Sequence, residues 1–471
     1  MKFLKCIPLQ IILFIFFFGC LSLFLNTTNT SAYGLQGLGI SSLIEHGHFY
    51  IDDPSSPDTK GYLSNATWDV FQYNDHIYLN KQPGQFIIAG IVYFFLTRLG
   101  ISYTNNSILV SNLIALCTSV LMTAIMLTLL FNISLKLTDS KMYSFIVSSF
   151  CGLGTIILPY SMIPHHDIYA TFFLFLGFYL LFHKYRILKR DSSFFQIALA
   201  GLSVGFSLFN SCNVFAVILS MVLYVVLNKD AKDIILFIIF LLVGLFPSFL
   251  FNYLVLDYPL HFPATIYSST MSNPLGNITV TQFSVQNLVQ KIDAYLLSPL
   301  TSITFFSPIV IISLLGFILF PKRYSNEKIT LLLLFVFQLL QLSTIEAIGW
   351  CQYGPRYLLE SIPFTLIGLS GFFVEEKNSI GQFLIKSKYL LPTIFSVGLV
   401  SIVICAVGTM GVIYCGYYEN AFLCYLKKII SGELPNYYFI PIGIACILIS
   451  ILLYFLRYPN NYKKLKQKLI S

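Results

Sequence analysis

Charge is scarce in this chain: Asp, Glu, Lys and Arg make up 10% of its 471 residues, against about 25% in an ordinary soluble domain. Too few ionised groups remain to cover a water-facing surface, which excludes a soluble enzyme. CxxC spacing is missing among the ten cysteines, most of which fall inside apolar runs, so neither a zinc site nor a disulfide framework is expected. A basic stripe interleaved with aromatics is missing too. The formal net charge of +8 resides in short loops and the C-terminal tail, which excludes nucleic acid as a partner and reads as a topology signal. Internal repeats are absent, and so is the period-two alternation of barrel strands.

What the chain has in quantity is hydrophobic residues, at 56%, gathered into runs. A bilayer core of about 30 Å needs about 20 apolar residues to cross as a helix. Because backbone polar groups cannot go unpaired in hydrocarbon, these runs predict helices. The fold class is therefore an all-α, polytopic transmembrane helical bundle of about 12–13 helices. Candidate segments are 7–25, 85–98, 107–131, 143–160, 166–183, 195–210, 212–228, 233–253, 302–320, 328–346, 357–374, 388–415 and 437–456. The first, behind Lys2 and Lys5, is as long as a span and is read as an uncleaved helix rather than a signal peptide.

Lys2 and Lys5 place the N-terminus in the cytoplasm, and Arg457, Lys463, Lys464, Lys466 and Lys468 place the C-terminus there. The number of crossings is then even. Lys184, Arg186, Lys189 and Arg190 mark 184–193 as cytoplasmic, which requires one earlier segment not to cross. The shortest, 85–98 after Pro83 and Gly84, is expected to lie along or dip into the outer interface, leaving twelve crossings. A register in which 85–98 crosses and two later segments merge is the alternative. The preferred register places 26–106, 161–167, the break near 211, 254–300 and 347–356 outside, with Lys427 and Lys428 as the exceptions to the charge rule. The sequons at Asn26, Asn29, Asn65, Asn105 and Asn277 fall outside as well, although such matches arise by chance.

Three polar clusters converge on that external face. The loop 26–82 is acidic, with Glu45, Asp52, Asp53, Asp58, Asp69 and Asp75 against Lys60 and Lys81. Its aromatics argue for order, and Ala32 to Glu45 reads as a short interfacial helix. The second cluster is His165, His166 and Asp167 after Pro164; the third is Gln352, Tyr353, Gly354, Pro355 and Arg356. Ionisable residues at membrane depth are costly and tend to line a cavity. A shared outer cavity is the simplest account. Trp68 and Trp350 sit beside these clusters, where they stack on a sugar or anchor at the interface.

These residues carry a resemblance. The stretch from Asp69 to Lys81-Gln82-Pro83-Gly84 resembles the pattern "D, eleven residues, K-x-P-G" of membrane glycosyltransferases related to protein O-mannosyltransferases and the aminoarabinose transferases of lipid A. Glu45 to Asp52 resembles their "E-x-G-x-x-x-I-D" stretch. Pro159-Tyr160-Ser161 with His165 or His166, and Tyr353 to Pro363, are similar to later signatures. The resemblance covers about residues 7–375. It implies a GT-C fold: a catalytic module over 1–375, followed by C-terminal transmembrane helices and a basic tail over 376–471. A lipid-linked donor would enter from the bilayer, with the active site on the external face of the plasma membrane.

The expected function is transfer of a sugar from a polyprenyl-phosphate carrier to a hydroxyl of a lipid, glycan or protein acceptor. Such a reaction needs an apolar groove, cations for the phosphate and a carboxylate to take the hydroxyl proton. Asp69 is the first candidate for that base, then Asp52 and Asp53. The chain departs from many relatives where they carry an acidic pair directly after the first helix; it has Asn26 to Tyr33 there. Lys81 and Arg356, with His165 and His166, are the expected phosphate ligands, and Glu45, Tyr78 and Tyr353 the expected substrate contacts. Other readings are a turn for Asp69, an interfacial anchor for Lys81 and an ion pair with Glu346 or Glu360 for Arg356. No cofactor is expected. A divalent metal at His165, His166 and Asp167 is the lesser alternative, because adjacent histidines project to different sides, and Asp167 is expected to cap the following helix. The competing classes are a multi-pass transporter, which would show intramembrane charges and paired broken helices, and a flippase, which would not need Asp69 and Lys81.

Overall fold

The computed structural model describes residues 7–26, 31–52, 70–187, 194–228, 230–263, 266–270, 273–280, 285–286, 288–345, 352–374, 389–411, 419–433, 437 and 439–458. Every one of the thirteen apolar segments contains helix. Leaving aside the short helices Ile157–Ser161, Leu288–Leu296 and Ile303–Phe306, the helices in chain order are α1 (Leu9–Ser22), α2 (Ser31–Ser41), α3 (Gly84–Arg98), α4 (Tyr103–Thr138), α5 (Lys141–Leu153), α6 (His166–Arg186), α7 (Phe194–Ser207), α8 (Cys212–Leu227), α9 (Ala231–Leu256) and α10 (Ile309–Leu319). Then come α11 (Lys322–Thr344), α12, built from Arg356–Ser361, Ile362–Leu366 and Ile367–Phe373, α13 (Leu390–Gly408), α14 (Ala421–Ile430) and α15 (Ile440–Arg457).

Among the described residues, six helices (α4, α6, α9, α11, α13 and α15) are long and apolar enough to cross a bilayer. The chain is an integral membrane protein built as a helical bundle. Five more apolar helices, α3 among them, are shorter. At about 1.5 Å per residue, the 15 residues of α3 fall short of the roughly 30 Å hydrocarbon core. Large apolar side chains on α9, such as Ile235, Val243, Phe246 and Leu254, stay exposed, as expected of a lipid-facing surface. α1 and α15, the first and last helices, lie so close that a Cβ on Gly19 would come within 2.8 Å of Cys446 Cβ and 2.9 Å of the Gly443 carbonyl. Such close backbone approach is how small residues join helices where no hydrophobic effect drives them together.

The first loop is ordered where it is described. A helix is present where one was expected from Ala32 to Glu45: α2, which continues as a π-turn through Ser42–His46. Two small hairpins depart from the all-helical expectation. β1 (Val70–Tyr73) pairs with β2 (His76–Leu79) across a two-residue turn in which Asn74 and Asp75 both have positive φ, 47° and 61°, as a type I′ turn demands. β3 (Ile266–Thr270) pairs with β4 (Asn273–Val280). The hydroxyl of Tyr73 on β1 donates to Asp257 Oδ2 (2.7 Å) just beyond α9, fastening the first hairpin to that helix.

No disulfide framework was expected, and one bridge is present: Cys424 on α14 is disulfide-bonded. Cys20, Cys117, Cys151, Cys212, Cys405 and Cys446 are free.

Candidate active site

The site is assembled at the first turn of α6. His165 is the N-cap, and its Nδ1 accepts the backbone N–H of Asp167 at 3.2 Å. The cap is therefore His165 rather than Asp167, which is the second residue of the helix. The turn leading in is held by α4. There a π-turn over Leu116–Val120 swings Ser119 so that its hydroxyl donates to the Ile163 carbonyl and accepts the His165 N–H at 3.3 Å. π-Bulges of this kind often serve to aim side chains at functional sites.

The expectation that adjacent histidines diverge does not hold here. His165 precedes the helix in extended conformation, so its ring and that of His166 stack at 4.5 Å with an 18° tilt. His166 Nε2 lies 3.2 Å from Asp167 Oδ1, and His165 Nδ1 lies 3.7 Å from Oδ2. The trio is close enough together to consider a metal ion. However, the His165 Nδ1 lone pair already accepts the capping N–H, which leaves fewer free ligand atoms than a tetrahedral or octahedral ion needs.

Asp167 meets α12 instead. Its Oδ1 lies 3.1 Å from Ser211 Oγ, and the same Oγ lies 3.0 Å from Glu360 Oε1. Asp167 and Glu360 are both fully buried. Gln338 of α11 approaches Glu360 Oε2 at 3.3 Å. Arg356, one helical turn before Glu360, stacks over the Tyr357 ring at 4.8 Å and donates to its hydroxyl at 3.2 Å, while its Nε is buried without a hydrogen-bond partner. Burial works against the Arg356 charge, but Tyr357, Asp167 and Tyr160 outweigh it and hold the guanidinium above its ordinary range. Burial first, then the charges of Arg356 and Lys81, hold His165 well below the usual imidazole range.

The Lys81-Gln82-Pro83-Gly84 turn docks on this cluster. Gly84 N–H donates to the Phe209 carbonyl at 2.8 Å, and a Cβ on Gly84 would sit 2.5 Å from that oxygen and 2.8 Å from Asn210 Oδ1. Only glycine permits the approach, which sets the motif two residues from Ser211. Lys81 itself bonds Asn80 Oδ1 at 3.0 Å. It also edges a small open cleft walled by Phe49, Phe71, Tyr78, Phe86 and Phe251. Phe251 belongs to α9, so this cleft adjoins the lipid-facing surface.

The other expected residues are placed as follows. Asp52 is half-buried, with Oδ1 3.5 Å from His76 Nδ1. Asp69 and Asp53 lie outside the described residues, as do Trp68 and Trp350. Glu45 accepts from Tyr93 of α3. Tyr78 lines the cleft, and burial, followed by the charge of Asp52, raises its hydroxyl above the usual range. Tyr353 is buried, with its hydroxyl on the Ile404 carbonyl and its ring edge-on to Phe306 at 4.8 Å. Lys81, Arg356, His165 and His166 therefore belong to one neighbourhood, whereas Glu45 and Tyr353 are tied into packing. Sequence reasoning read Glu360 only as a partner for Arg356 and passed over Ser211. A glutamate inside an apolar segment is the signal that points to Glu360.

No family model matches the chain, and no curated protein does. Its path is similar to that of ArnT from Cupriavidus metallidurans bound to undecaprenyl phosphate, at 12% identity and a TM-score of 0.46, over 95% of this chain and 75% of that one. It is similar also to ArnT from the same organism in the apo state, at 12% identity and a TM-score of 0.44, over 94% and 74%.

Proposed function

We infer that the protein is a membrane glycosyltransferase that moves a sugar from a polyprenyl-phosphate carrier to an acceptor hydroxyl at the external face. The observation that carries this reading is the apolar cleft edged by Lys81, which is joined to the buried polar cluster through the Gly84 contact. An isoprenoid tail suits the aromatic walls and can enter from the α9 side. Lys81 and Arg356 are the cations suited to the phosphate, which gains charge as the sugar departs, and neutral His165 and His166 can donate to its oxygens. The sequence pattern nominates Asp69, then Asp52 and Asp53, to take the acceptor's proton, and the carboxyls of the buried cluster compete with them for that role.

The external placement draws support from Cys424, because disulfides persist in oxidising compartments. Tyr425 beside it stands 6.1 Å from the Tyr353 ring, on the same side as Arg356. A proton-coupled transporter is the second reading, favoured by the two carboxyls buried inside the bundle. The test is transfer of radiolabelled sugar from a panel of polyprenyl-phosphate sugars to membrane acceptors. Wild type is expected to transfer, and Lys81→Gln to raise the donor KM about tenfold or more, the loss typical of a charge-assisted hydrogen bond. Failure of wild type with every donor would overturn the transferase in favour of the transporter.

A further inference from the structure

Ser211 Oγ has three polar neighbours. The Asn213 N–H reaches it at 3.3 Å, Asp167 Oδ1 at 3.1 Å and Glu360 Oε1 at 3.0 Å. A hydroxyl has one hydrogen to give and two lone pairs. One lone pair takes the Asn213 N–H, and the single hydrogen satisfies one carboxyl. The other carboxyl closes its contact fully by donating to the remaining lone pair, as a carboxylic acid, and the direct hydrogen bond between Asp167 and Glu360 likewise needs a proton that two carboxylates lack. The two contacts together give the pair one shared proton.

The proton is assigned to Glu360. Asp167 lies in the first turn of α6, where the helix N-terminus favours negative charge, whereas Glu360, beyond the shared Ser211, receives the amide of Gln338 and its own backbone N–H but faces no helix N-terminus of comparable length. Asp167 and Glu360 also hydrogen-bond each other side chain to side chain; Asp167 Oδ2 is buried and meets no donor besides, and His166 Nδ1, Asn210 Oδ1 and Arg356 Nε around it are likewise without hydrogen-bond partners. Unpartnered buried polar atoms cost about 1–3 kcal/mol each. Their concentration in one place calls for polar substrate groups that complete them.

We propose that Asp167, with Ser211 and Glu360 behind it, is the proton acceptor for the acceptor hydroxyl, in place of the loop aspartates; this rests on the transferase reading. As the hydroxyl oxygen forms its bond to the anomeric carbon, its proton passes to Asp167 Oδ2. The bond from the anomeric carbon to the phosphate oxygen breaks, and polyprenyl phosphate leaves with the electron pair beside Arg356. Both carboxyls are then protonated, and release of one proton to the external side resets the pair. The Ser211 bridge lets either oxygen of the dyad supply the proton that leaves.

Two readouts test this on the full-length protein, purified and matched for folded yield. The first is the infrared carbonyl stretch of a protonated carboxylic acid, read without substrate. Wild type is expected to show it and Glu360→Gln to lose it. Asp233 and Glu327, the other acids buried among the described residues, are paired with Lys184 and Arg186 and contribute none. The second is transfer. Asp167→Asn is expected to lose about 10²–10⁴-fold in kcat, the usual worth of a general base, with donor KM retained, and Asp69→Asn to lose far less. Ser211→Ala serves where either isosteric variant folds poorly, and is expected to alter the band and slow transfer together. A wild type without the band, or an Asp167→Asn enzyme that turns over at the wild-type rate, would overturn the proposal. A band in wild type with no transfer from any donor would leave the shared proton standing and sink the transferase reading instead.

Discussion

The two ends of α6 carry ionisable groups on opposite terms. At its C-terminal end every charge is matched. Arg186 grips Glu327 with two parallel bonds of 2.5 and 2.7 Å, the Tyr224 hydroxyl adds a third at 2.7 Å, and Lys184 pairs with Asp233. At its N-terminal end two carboxyls share one serine, and four buried polar atoms nearby go without partners. The same helix thus holds a closed network and an open one, at the two ends of its 21 residues. Closed networks fix geometry, whereas open ones store a demand for ligand, and natural proteins break local rules mainly where they act. The comparison assigns anchoring to the 184–186 end, tying α6 to α9 and α11, and chemistry to the 165–167 end.

The largest effect expected from breaking this contrast is at the closed end. Glu327→Gln keeps the shape but leaves Arg186 without its counter-charge, which should cost about 3–5 kcal/mol, seen as a lowered unfolding temperature in detergent. Turnover of the fraction that stays folded should be unchanged. Asp167→Asn should do the reverse, slowing transfer about 10²–10⁴-fold, as expected of a general base, while leaving stability level or higher, the usual trade at functional positions. Equal stability losses at both ends would erase the distinction.

A smaller effect is expected where the first loop meets the cluster. In Gly84→Ala the new Cβ would press on the Phe209 carbonyl at 2.5 Å, and overpacking of this kind typically costs about 1–3 kcal/mol. Because the turn also positions Lys81, donor KM should rise together with the stability loss. A variant that loses stability with unchanged KM would mean that the turn holds the loop but not the cation.

The helices were legible because hydrocarbon imposes one rule on every span, and runs of apolar residues record it. α14 was not: ten residues with Lys427 and Lys428 at one end give neither length nor hydropathy. The hairpins escaped for a similar reason, since strands of four residues around Asn74 and Asp75 are set by a turn rather than by a pattern. Within the site, His165, His166, Lys81 and Arg356 stood out as polar groups bordering apolar runs. The arrangement that joins them did not: the break near 211 was visible, but the role of the Ser211 side chain in it and the π-turn at Ser119 were not, because neither a serine nor a bulge leaves a periodic mark. Stacking of His165 on His166 required knowing that the helix begins between them.

The subtlest difference between the two ends should appear with pH. His165 is held neutral by burial and by the charges of Arg356 and Lys81, while in the unfolded chain it takes up a proton near the ordinary value of about 6.5. Below that pH the unfolded state binds more protons than the folded one, so stability falls as pH drops. Above it His165 contributes no slope. Asn at the same position can still cap Asp167 through its side-chain oxygen but cannot titrate. Unfolding temperatures followed from pH 8 to pH 5, roughly the span over which an imidazole changes charge, should decline more steeply for wild type than for His165→Asn, with the two curves parallel above about pH 7. Parallel curves throughout would mean that the folded site protonates His165 as readily as water does, and the N-terminal end of α6 would then carry a positive charge where the geometry calls for a neutral donor.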